Sequence, residues 1–318
     1  MDRVLLTDSI AKAGEEILAK RTVVVRAPDS DPATIRRFAR DVDGVIIRSK
    51  LPDDIFAAAP RLRAVVVHGT GTDLVPLADA TARGVMVANL PGINAQSVAE
   101  YCAMAMLMLA RNMVRIFGTL KNGIPWDEVR AMAADNRELA TLTLGIVGVG
   151  EIGTRLAAIC RRGFGMRVLG HRRQLDRLPP EAEPASLDAL LAASDFVVLA
   201  CPLTPETRHL FNTERIGRMK PSAWLINVGR GPVVDQQALV AALGGKRIAG
   251  AMLDVYETYR LSPGDALFSL DNVILTPHLA AVTRESRARA SVAAAEEMLR
   301  MLAGERPKNF VNPEAAKR

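Results

Sequence analysis

The sequence contains few cysteines and few histidines. Three cysteines occur in 318 residues, at Cys102, Cys160 and Cys201, and none belongs to a CxxC pair. A sparse, odd set is typical of a reduced cytosolic protein, so we expect each thiol to fill the core. The four histidines form no HxxxH or HxH cluster. The sequence therefore predicts no metal site.

Long hydrophobic runs are also scarce. The longest apolar stretch outside strand-like segments, residues 101–110, is too short to span a bilayer as a helix. Residues 1–8 include acids where a signal peptide needs an apolar core. We therefore expect a cytoplasmic protein with no membrane partner.

Aromatic residues make up only 4% of the chain, although its net charge is +6. The basic residues are scattered, except at Arg161-Arg162 and at His171-Arg172-Arg173. A nucleic-acid-binding protein more often concentrates them on one stripe with aromatics, so we expect no nucleic-acid partner. The charge then belongs either to a solvated surface or to a site for an anionic ligand.

What the chain does contain is an alternation of short β-branched runs with Ala- and Leu-rich helical stretches. This alternation predicts an α/β fold in which helices cover both faces of parallel sheets. The first series of runs comprises residues 4–6, 23–25, 44–47, 64–67 and 85–88. The second comprises residues 144–147, 166–169, 196–199, 224–227, 248–251 and 273–275. We predict two Rossmann- or flavodoxin-like parallel-sheet domains with an active-site cleft between them.

Apolar spacing and end signals place four helices, at residues 33–40, 52–58, 97–111 and 285–302. Ser97 and Glu100 predict a capping box at the start of the third helix. Gly304 is placed to end the fourth. The third helix is apolar nearly all round, which predicts burial in the core or in a subunit interface.

A glycine turn follows the first strand of the second series and opens a helix. Gly148 permits the tight turn, Gly150 lets the backbone approach a pyrophosphate, and Gly153 lets the helix pack against the strand. The free amides near Glu151 and Ile152 can donate to phosphate. The strand–turn–helix context predicts a nicotinamide dinucleotide site.

The residues after the next strand bear on the choice of cofactor. An NAD site usually has an acidic residue there, which accepts a hydrogen bond from the ribose 2′-hydroxyl. This chain instead has His171, Arg172 and Arg173. Arginines at that point suit a 2′-phosphate. Either they bind it, which favours NADP(H) with NAD(H) possible, or they are only surface charge.

Seven motifs, including the glycine turn, occur in a familiar order. They are Gly69-Thr-Gly-Thr-Asp73, Asn89-Leu-Pro-Gly-Ile-Asn94 with Ser97-Val-Ala-Glu100, the glycine turn, Cys201-Pro-Leu-Thr-Pro-Glu-Thr207, Ile226-Asn-Val-Gly-Arg-Gly231 with Val234-Asp235, Leu253-Asp254-Val255, and Leu275-Thr-Pro-His278. Over almost its whole length the chain resembles the D-isomer-specific 2-hydroxyacid dehydrogenases, which include phosphoglycerate dehydrogenase and glyoxylate/hydroxypyruvate reductase.

The resemblance implies a domain arrangement. Residues 1–96 with 287–318 would form a flavodoxin-like substrate domain, and residues 97–286 an inserted dinucleotide-binding Rossmann domain. The resemblance also implies a homodimer joined through the nucleotide domain, with the helix after Ser97 as the crossing element.

It further implies site residues. Arg230 matches the arginine that clamps the substrate carboxylate and carbonyl, and His278 the acid/base that protonates the carbonyl oxygen. Thr70, Gly71 and Thr72 match the loop whose amides hold the carboxylate. The cofactor-lining positions would be Cys201, Pro202, Thr207, Val228, Gly229 and Asp254, with His278, and Asp254 would lie near the nicotinamide carboxamide. Without the resemblance, His278 is ambiguous between capping and catalysis, whereas Arg230 lies on a strand-end turn, where α/β sheets bind ligands.

One position departs from the family pattern. The family has a glutamate five residues after the Leu-Asp-Val aspartate, which bonds the catalytic histidine; here that residue is Tyr259. Three explanations stay open. Tyr259 orients the ring without charge and shifts reduction to lower pH, Glu257 swings in, or the pair is relaxed and turnover is weak.

The substrate expected is a small 2-keto acid such as glyoxylate or hydroxypyruvate, reduced to the D-hydroxy acid. Val67 occupies the position of an arginine found in some phosphoglycerate-type relatives, and the chain ends at Arg318 without their regulatory domain. His68 either contacts an anion or packs within its loop. The alternatives are a phosphorylated or sulfonated 2-hydroxy acid and, from another class, a dinucleotide-sensing protein resembling corepressors of the family.

Overall fold

The structure is a computed structural model that describes residues 1–317 of the chain. It divides into two compact units, one combining Met1–Asn94 with the chain from Val282 onward and the other formed by Ala95–Ala281. The unit boundaries lie two and five residues before the predicted ones. Arg318, the end of the predicted substrate domain, lies outside the described residues. Which unit binds which ligand stays a prediction.

The first unit is built on a five-stranded parallel sheet with strand order β2-β1-β3-β4-β5. Its strands are β1 (Arg3–Leu6), β2 (Val23–Arg26), β3 (Gly44–Ile47), β4 (Ala64–Val67) and β5 (Met86–Ala88). The helices are α1 (Lys12–Ala19), α2 (Pro32–Ala39), α3 (Ile55–Ala58), α4 (Leu77–Ala82) and α12 (Arg284–Leu302), and a 3₁₀ turn covers Pro313–Lys317. Two apolar clusters, one on each face, bury the β-branched strands.

Helices α1 and α12 approach each other closely because a glycine lies at their contact. A Cβ on Gly14 would overlap the backbone of Ser291. The amide of Ala11 donates to the Ser291 hydroxyl over 2.8 Å. The returning C-terminal helix is thereby fixed against the N-terminal helix, which explains how both ends of the chain form one unit.

The second unit contains a seven-stranded parallel sheet with strand order β12-β11-β10-β9-β6-β7-β8. Its strands are β6 (Thr143–Val147), β7 (Arg167–His171), β8 (Glu183–Pro184), β9 (Phe196–Leu199), β10 (Trp224–Asn227), β11 (Gly250–Leu253) and β12 (Val273–Leu275). The carboxyl ends of β10, β11 and β12, three neighbouring strands, lie at the same edge of this sheet. Residues that follow these strands are thus brought together.

Seven helices accompany this sheet. They are α5 (Ala95–Ala110), α6 (Met113–Lys121), α7 (Trp126–Ala131), α8 (Glu151–Ala158), α9 (Leu187–Ala193), α10 (Thr213–Gly217) and α11 (Gln236–Gly244). Helix α8 continues as a π-helical turn over Ile159–Gly163, and 3₁₀ turns occur at Leu139–Thr141, Leu175–Arg177, Gly231–Val233 and Ala266–Ser269.

The prediction of two parallel-sheet α/β domains is confirmed. The predicted capping box is wrong, because α5 begins at Ala95, two residues before Ser97. Ser97 is therefore buried inside the helix, and the Glu100 carboxylate instead accepts a hydrogen bond from Gln96. Gly304 does end α12, with φ +80° and an amide that donates to the Met301 carbonyl.

Within residues 1–317, no single helix is long and apolar enough to cross a membrane. Helices α5 and α6 meet that criterion only as a combined pair, and they are bent by 62° at the break between them. Most of α5 is buried within its own unit.

Candidate active site

The glycine turn lies between β6 and α8. Gly148 adopts φ +95°, a conformation that strains any other L-residue. A Cβ there would also lie 2.6 Å from the Cα of Cys201. The Gly148 amide donates to the His171 carbonyl over 2.9 Å, which ties the turn to the end of β7. Only glycine fits this position.

The other two glycines have different surroundings. A Cβ on Gly150, the residue before α8, would meet nothing within 4 Å, so the space beside it is open. A Cβ on Gly153 would lie 3.0 Å from the Gly148 carbonyl oxygen, because α8 packs close to the turn. The amides of Glu151 and Ile152 are in the first turn of α8 and face the open space of a helix N-terminus. These features fit a pyrophosphate group.

The end of β7 carries the basic residues. The His171 ring nitrogen Nδ1 lies 3.0 Å from the Ala185 carbonyl, and Arg172 donates to the Arg177 carbonyl over 2.9 Å. Arg173 is exposed. The Thr204 hydroxyl and, to a lesser degree, Arg173 hold the pKa of the Glu206 carboxyl below its usual range. Positive charge therefore lies beside the turn.

Two loops after β9 and β10 lie beside the glycine turn. Cys201 is buried, and burial raises the pKa of its thiol to about 11, which makes it a poor nucleophile. The Thr207 hydroxyl donates to the Pro202 carbonyl over 2.7 Å and closes the first loop. A Cβ on Gly229 would lie 2.8 Å from the Cys201 carbonyl oxygen, so the two loops touch. Val228 is buried between them.

Arg230 follows β10 and is half-buried. Its guanidinium donates to the Gly229 carbonyl over 2.8 Å. The buried side chain of Asn227 shapes the turn, because it accepts from the Gly229 amide and donates to the Arg230 carbonyl. Asn227 belongs to one of the sequence motifs, but no role was predicted for it, because a side-chain amide at a strand end is only a weak indication of a functional residue.

His278 follows β12 and has φ +55°, in the left-handed region. Its amide lies 3.0 Å from the carbonyl oxygens of both Asp254 and Thr276. The Asp254 side chain, 1% exposed, accepts three hydrogen bonds from the His278 loop, given by the Thr276 hydroxyl, the Leu279 amide and the Ala280 amide. Asp254 therefore holds this loop in place, and its predicted contact with the nicotinamide stays a prediction.

Tyr259 lies in the loop after β11, at the position where the family pattern has a glutamate. Its ring meets the His278 ring edge to face, with centroids 6.4 Å apart and planes inclined by 70°. The side chain is 66% exposed. The structure thus brings Tyr259 beside His278, as the five-residue spacing from Asp254 suggested.

Glu257 lies elsewhere. One carboxylate oxygen is 2.7 Å from the His209 ring nitrogen Nε2, and the other accepts from the Gln236 amide over 3.2 Å. In this conformation Glu257 does not support His278, which was one of the alternatives left open, because both of its carboxylate oxygens are bonded to other residues. His209 was not predicted from the sequence, because it is 48 positions away from Glu257 and belongs to no motif.

The loop after β4 is held by polar contacts within the first unit. Asn89 donates to the Thr70 carbonyl over 2.6 Å, and the Thr70 hydroxyl donates to the Leu90 carbonyl over 3.2 Å. A Cβ on Gly69 would meet nothing within 4 Å. This loop, including Gly71 and Thr72, is thus positioned by its own neighbours.

His68, at the start of this loop, packs against α12. Its ring nitrogen Nε2 lies 2.9 Å from the Ser291 hydroxyl, which itself donates to the Arg287 carbonyl. Burial lowers the pKa of His68 to about 4, and the charges of Arg48 and Arg287 add to this shift. His68 is consequently neutral near pH 7 and supplies no charge to an anion.

No group of three or more metal-ligating side chains occurs in the described part of the chain. The fold and the turn define a dinucleotide-binding α/β protein, with an arginine and a histidine at the carboxyl ends of β10 and β12. Comparisons with known proteins make this class more specific. The model of the D-isomer specific 2-hydroxyacid dehydrogenase NAD binding domain matches residues 103–280, inside the second unit.

Relatives match over nearly the full chain. A glyoxylate reductase from Korarchaeum cryptofilum is 38% identical over 301 residues, covering 92% of this chain and 89% of the relative. Glyoxylate/hydroxypyruvate reductase B from Salmonella paratyphi A is 37% identical, with 92% of each chain covered. An NADPH-dependent glyoxylate/hydroxypyruvate reductase structure from Sinorhizobium meliloti is 30% identical, covers 99% of each chain and has a TM-score of 0.86.

The chain belongs to the D-isomer specific 2-hydroxyacid dehydrogenase family. The expected enzyme class, an NAD(P)-dependent oxidoreductase acting on the CH–OH group of donors, is confirmed with it.

Proposed function

We propose that this enzyme reduces a small 2-keto acid, glyoxylate to glycolate or hydroxypyruvate to D-glycerate. The single observation that carries the proposal is the placement of Arg230 after β10 and of His278 after β12, the two strands that flank β11 in the seven-stranded sheet. The relatives' names support the same substrates. The reduced nicotinamide supplies the hydride when it is bound.

The residues of the chain then complete the reaction. The Arg230 guanidinium binds a carboxylate oxygen and the carbonyl oxygen of the substrate in one plane, which orients and polarises the carbonyl. His278, as imidazolium, donates its proton to the carbonyl oxygen while C2 gains the hydride, so the product is a neutral hydroxyl beside the carboxylate.

A panel of 2-keto acids with NADPH tests the proposal. Glyoxylate and hydroxypyruvate should be turned over, and Arg230→Lys should lose activity with both because an ammonium cannot bond two oxygens in one plane. If only a phosphorylated or sulfonated 2-keto acid is turned over, the substrate proposed here is wrong and that acid is the substrate. Tight NADPH binding without turnover of any acid would instead favour a dinucleotide sensor.

We propose NADP(H) as the preferred cofactor, with NAD(H) as a weaker alternative. The support is the pair Arg172 and Arg173 at the end of β7, where an NAD site has an acid. The Sinorhizobium meliloti reductase is NADPH-dependent. The family model, in contrast, is described only as an NAD binding domain.

For Tyr259 we propose the role of a neutral orienter. Its edge contact restricts the His278 ring, while the tyrosine hydroxyl carries no charge at neutral pH. Glu257 is engaged with His209, which disfavours the alternative that it supports His278.

We also propose a homodimer, in a reduced cytoplasmic setting that suits three free, buried cysteines. Helices α5 to α7 and their connections expose an unusual number of large apolar side chains. These are Met104, Leu107, Met113, Val114, Phe117, Leu120, Ile124 and Trp126, each at least 40% exposed. Such a surface is typical of a subunit interface, and a second copy of the chain is its proposed occupant.

A further inference from the structure

The backbone of His278 is in an unusual conformation for a residue of its type. Only four non-glycine residues of the described chain have positive φ, and His278 is one of them, at +55°. Such a conformation persists only where surrounding contacts enforce it, and it is found preferentially at functional sites. The contacts that enforce it here therefore bear on what His278 does.

Those contacts converge on the Asp254 carboxylate. Its Oδ1 accepts from the Thr276 hydroxyl over 2.7 Å and from the Leu279 amide over 2.8 Å. Its Oδ2 accepts from the Ala280 amide over 3.0 Å. The donors precede and follow His278 in the chain, so the buried carboxylate closes the loop around that residue.

The Thr276 hydroxyl has a second partner, the hydroxyl of Tyr101, at 2.6 Å. A carboxylate only accepts, so the Thr276 proton points to Asp254 and its oxygen must accept from Tyr101. Burial raises the pKa of Tyr101 and keeps this donor protonated. Tyr101 lies on α5, so the chain of bonds connects that helix to the His278 loop.

We propose that Tyr101, Thr276 and Asp254 form a positioning chain, in which each hydroxyl donates to the next group and the Asp254 carboxylate holds His278 in its left-handed conformation. The chain aims the imidazole at the carbonyl oxygen of the substrate. The inference rests on the proposed role of His278 as proton donor, and it gives Tyr101 and Thr276 a positioning role that the motifs did not assign to them.

Thr276 is the residue whose change separates positioning from bulk stability. Thr276→Val keeps the shape of the side chain but removes the bonds to both Tyr101 and Asp254, whereas Thr276→Ser keeps the hydroxyl. Thr22→Val is the control, because Thr22 also uses its hydroxyl as a donor, to the Leu18 carbonyl in the other unit. Thr22 is buried whereas Thr276 is half-buried, so the control variant loses its hydrogen bond in the more buried position. Tyr101→Phe is a second variant that removes only the outer bond.

Two readouts test the proposal. The first is the pH profile of kcat and the KM for NADPH with the 2-keto acid that the wild type reduces best. The second is the ring proton resonance of His278, assigned by its loss in His278→Gln and titrated by NMR. The NMR titration does not need turnover, so it still tests the positioning chain if the proposed function is wrong.

We expect Thr276→Val to lower kcat by about 10- to 100-fold, the range known for residues that orient metal-binding histidines, with little change in the KM for NADPH. Its His278 titration should differ from that of the wild type, and Thr276→Ser should restore both readouts. Thr22→Val should leave both readouts unchanged, although it should lower the melting temperature by a similar amount. If Thr276→Val does not fold, Tyr101→Phe should show the same changes more weakly.

An unchanged His278 titration in Thr276→Val or Tyr101→Phe would overturn the positioning chain. Equal losses of kcat in Thr276→Val and Thr22→Val would also overturn it, since both effects would then follow from reduced stability. Absence of turnover in the wild type, with a shifted titration in Thr276→Val, would instead refute the proposed function and leave the positioning intact.

Discussion

The ring of Tyr259 meets the ring of His278 edge to face, with 6.4 Å between the centroids. The family pattern has a glutamate where this tyrosine lies. A carboxylate beside an imidazole favours the protonated ring, whereas a neutral phenol only restricts its orientation. We therefore predict that the Tyr259–His278 pair sets the pH range in which His278, the proposed proton donor, can act.

Replacing Tyr259 with glutamate should extend reduction to higher pH. The reduction needs protonated His278, so its rate falls as the pH rises through the pKa of that ring. A carboxylate at position 259 should raise this pKa by about one unit, which moves the falling limb of the kcat–pH profile upward by the same amount. The profile with saturating NADPH and glyoxylate measures it.

Glu257→Gln serves as the control for that experiment. Its carboxylate is bonded to His209 and to the Gln236 amide, so the falling limb should not move. If Tyr259→Glu leaves the profile in place while Glu257→Gln shifts it downward, Tyr259 is not the orienter and Glu257 supports His278 during turnover.

The glycine turn permits a test that separates folding from cofactor binding. Gly150→Ala should fold normally, because its Cβ would meet open space, and yet it should weaken NADPH binding by intruding on the pyrophosphate. Gly148→Ala should destabilise the protein, because Gly148 has φ +95° and abuts Cys201. Melting temperatures and calorimetric NADPH titrations check both variants. A Gly150→Ala variant that binds NADPH like the wild type would place the pyrophosphate elsewhere.

The basic pair after β7 should decide cofactor preference. Arg172→Ser combined with Arg173→Ser should lower kcat/KM for NADPH by about tenfold or more. A charge-assisted hydrogen bond to a phosphate contributes roughly 1.5–3 kcal/mol, and the loss of even one such bond corresponds to this factor. The value for NADH should change little. A wild-type enzyme that prefers NADH would contradict the assignment directly.

His68 predicts a pH dependence of stability. Its pKa is lowered to about 4, below the unfolded value of 6.5, so the unfolded state binds more protons between these pH values. Stability conferred by the neutral ring is therefore fully present above pH 6.5 and is lost as the pH falls toward 4. The loss should amount to about 3 kcal/mol, from 1.36 kcal/mol per pKa unit.

Denaturant unfolding of the wild type and of His68→Gln at several pH values measures this contribution. Glutamine does not titrate but can still reach the Ser291 hydroxyl, so the difference in unfolding free energy between the proteins should shrink between pH 6.5 and 4. Parallel pH dependences in the two proteins would show that His68 is not responsible.

Most strands could be predicted from sequence, because strands buried on both faces are continuous β-branched runs. The runs at 44–47, 64–67, 196–199 and 224–227 coincide with β3, β4, β9 and β10. The strands β7 and β11 begin one and two residues later than expected, and β8 was missed. Its two residues, Glu183 and Pro184, contain no apolar pattern, and only pairing with β7 defines them.

The candidate site divides in the same way. The glycines of the turn were identified from their spacing between a strand and a helix, whereas the roles predicted for Arg230 and His278 came from local motifs through the family resemblance. The partners of Glu257 and of Thr276 depend on contacts between distant segments, such as the 48 positions from His209 to Glu257 and the 175 from Tyr101 to Thr276. The left-handed backbone of His278 likewise arises from those contacts and has no local sequence signal.

The most direct test of the account compares wild type and His278→Gln. Both proteins are assayed for NADPH oxidation with glyoxylate, and the Kd for NADPH is measured alongside. Loss of the proton donor should lower kcat by about 10²- to 10⁴-fold, while the Kd for NADPH stays within about twofold of the wild type. A His278→Gln variant that retains wild-type kcat would contradict the assignment of His278 as the proton donor in 2-keto acid reduction.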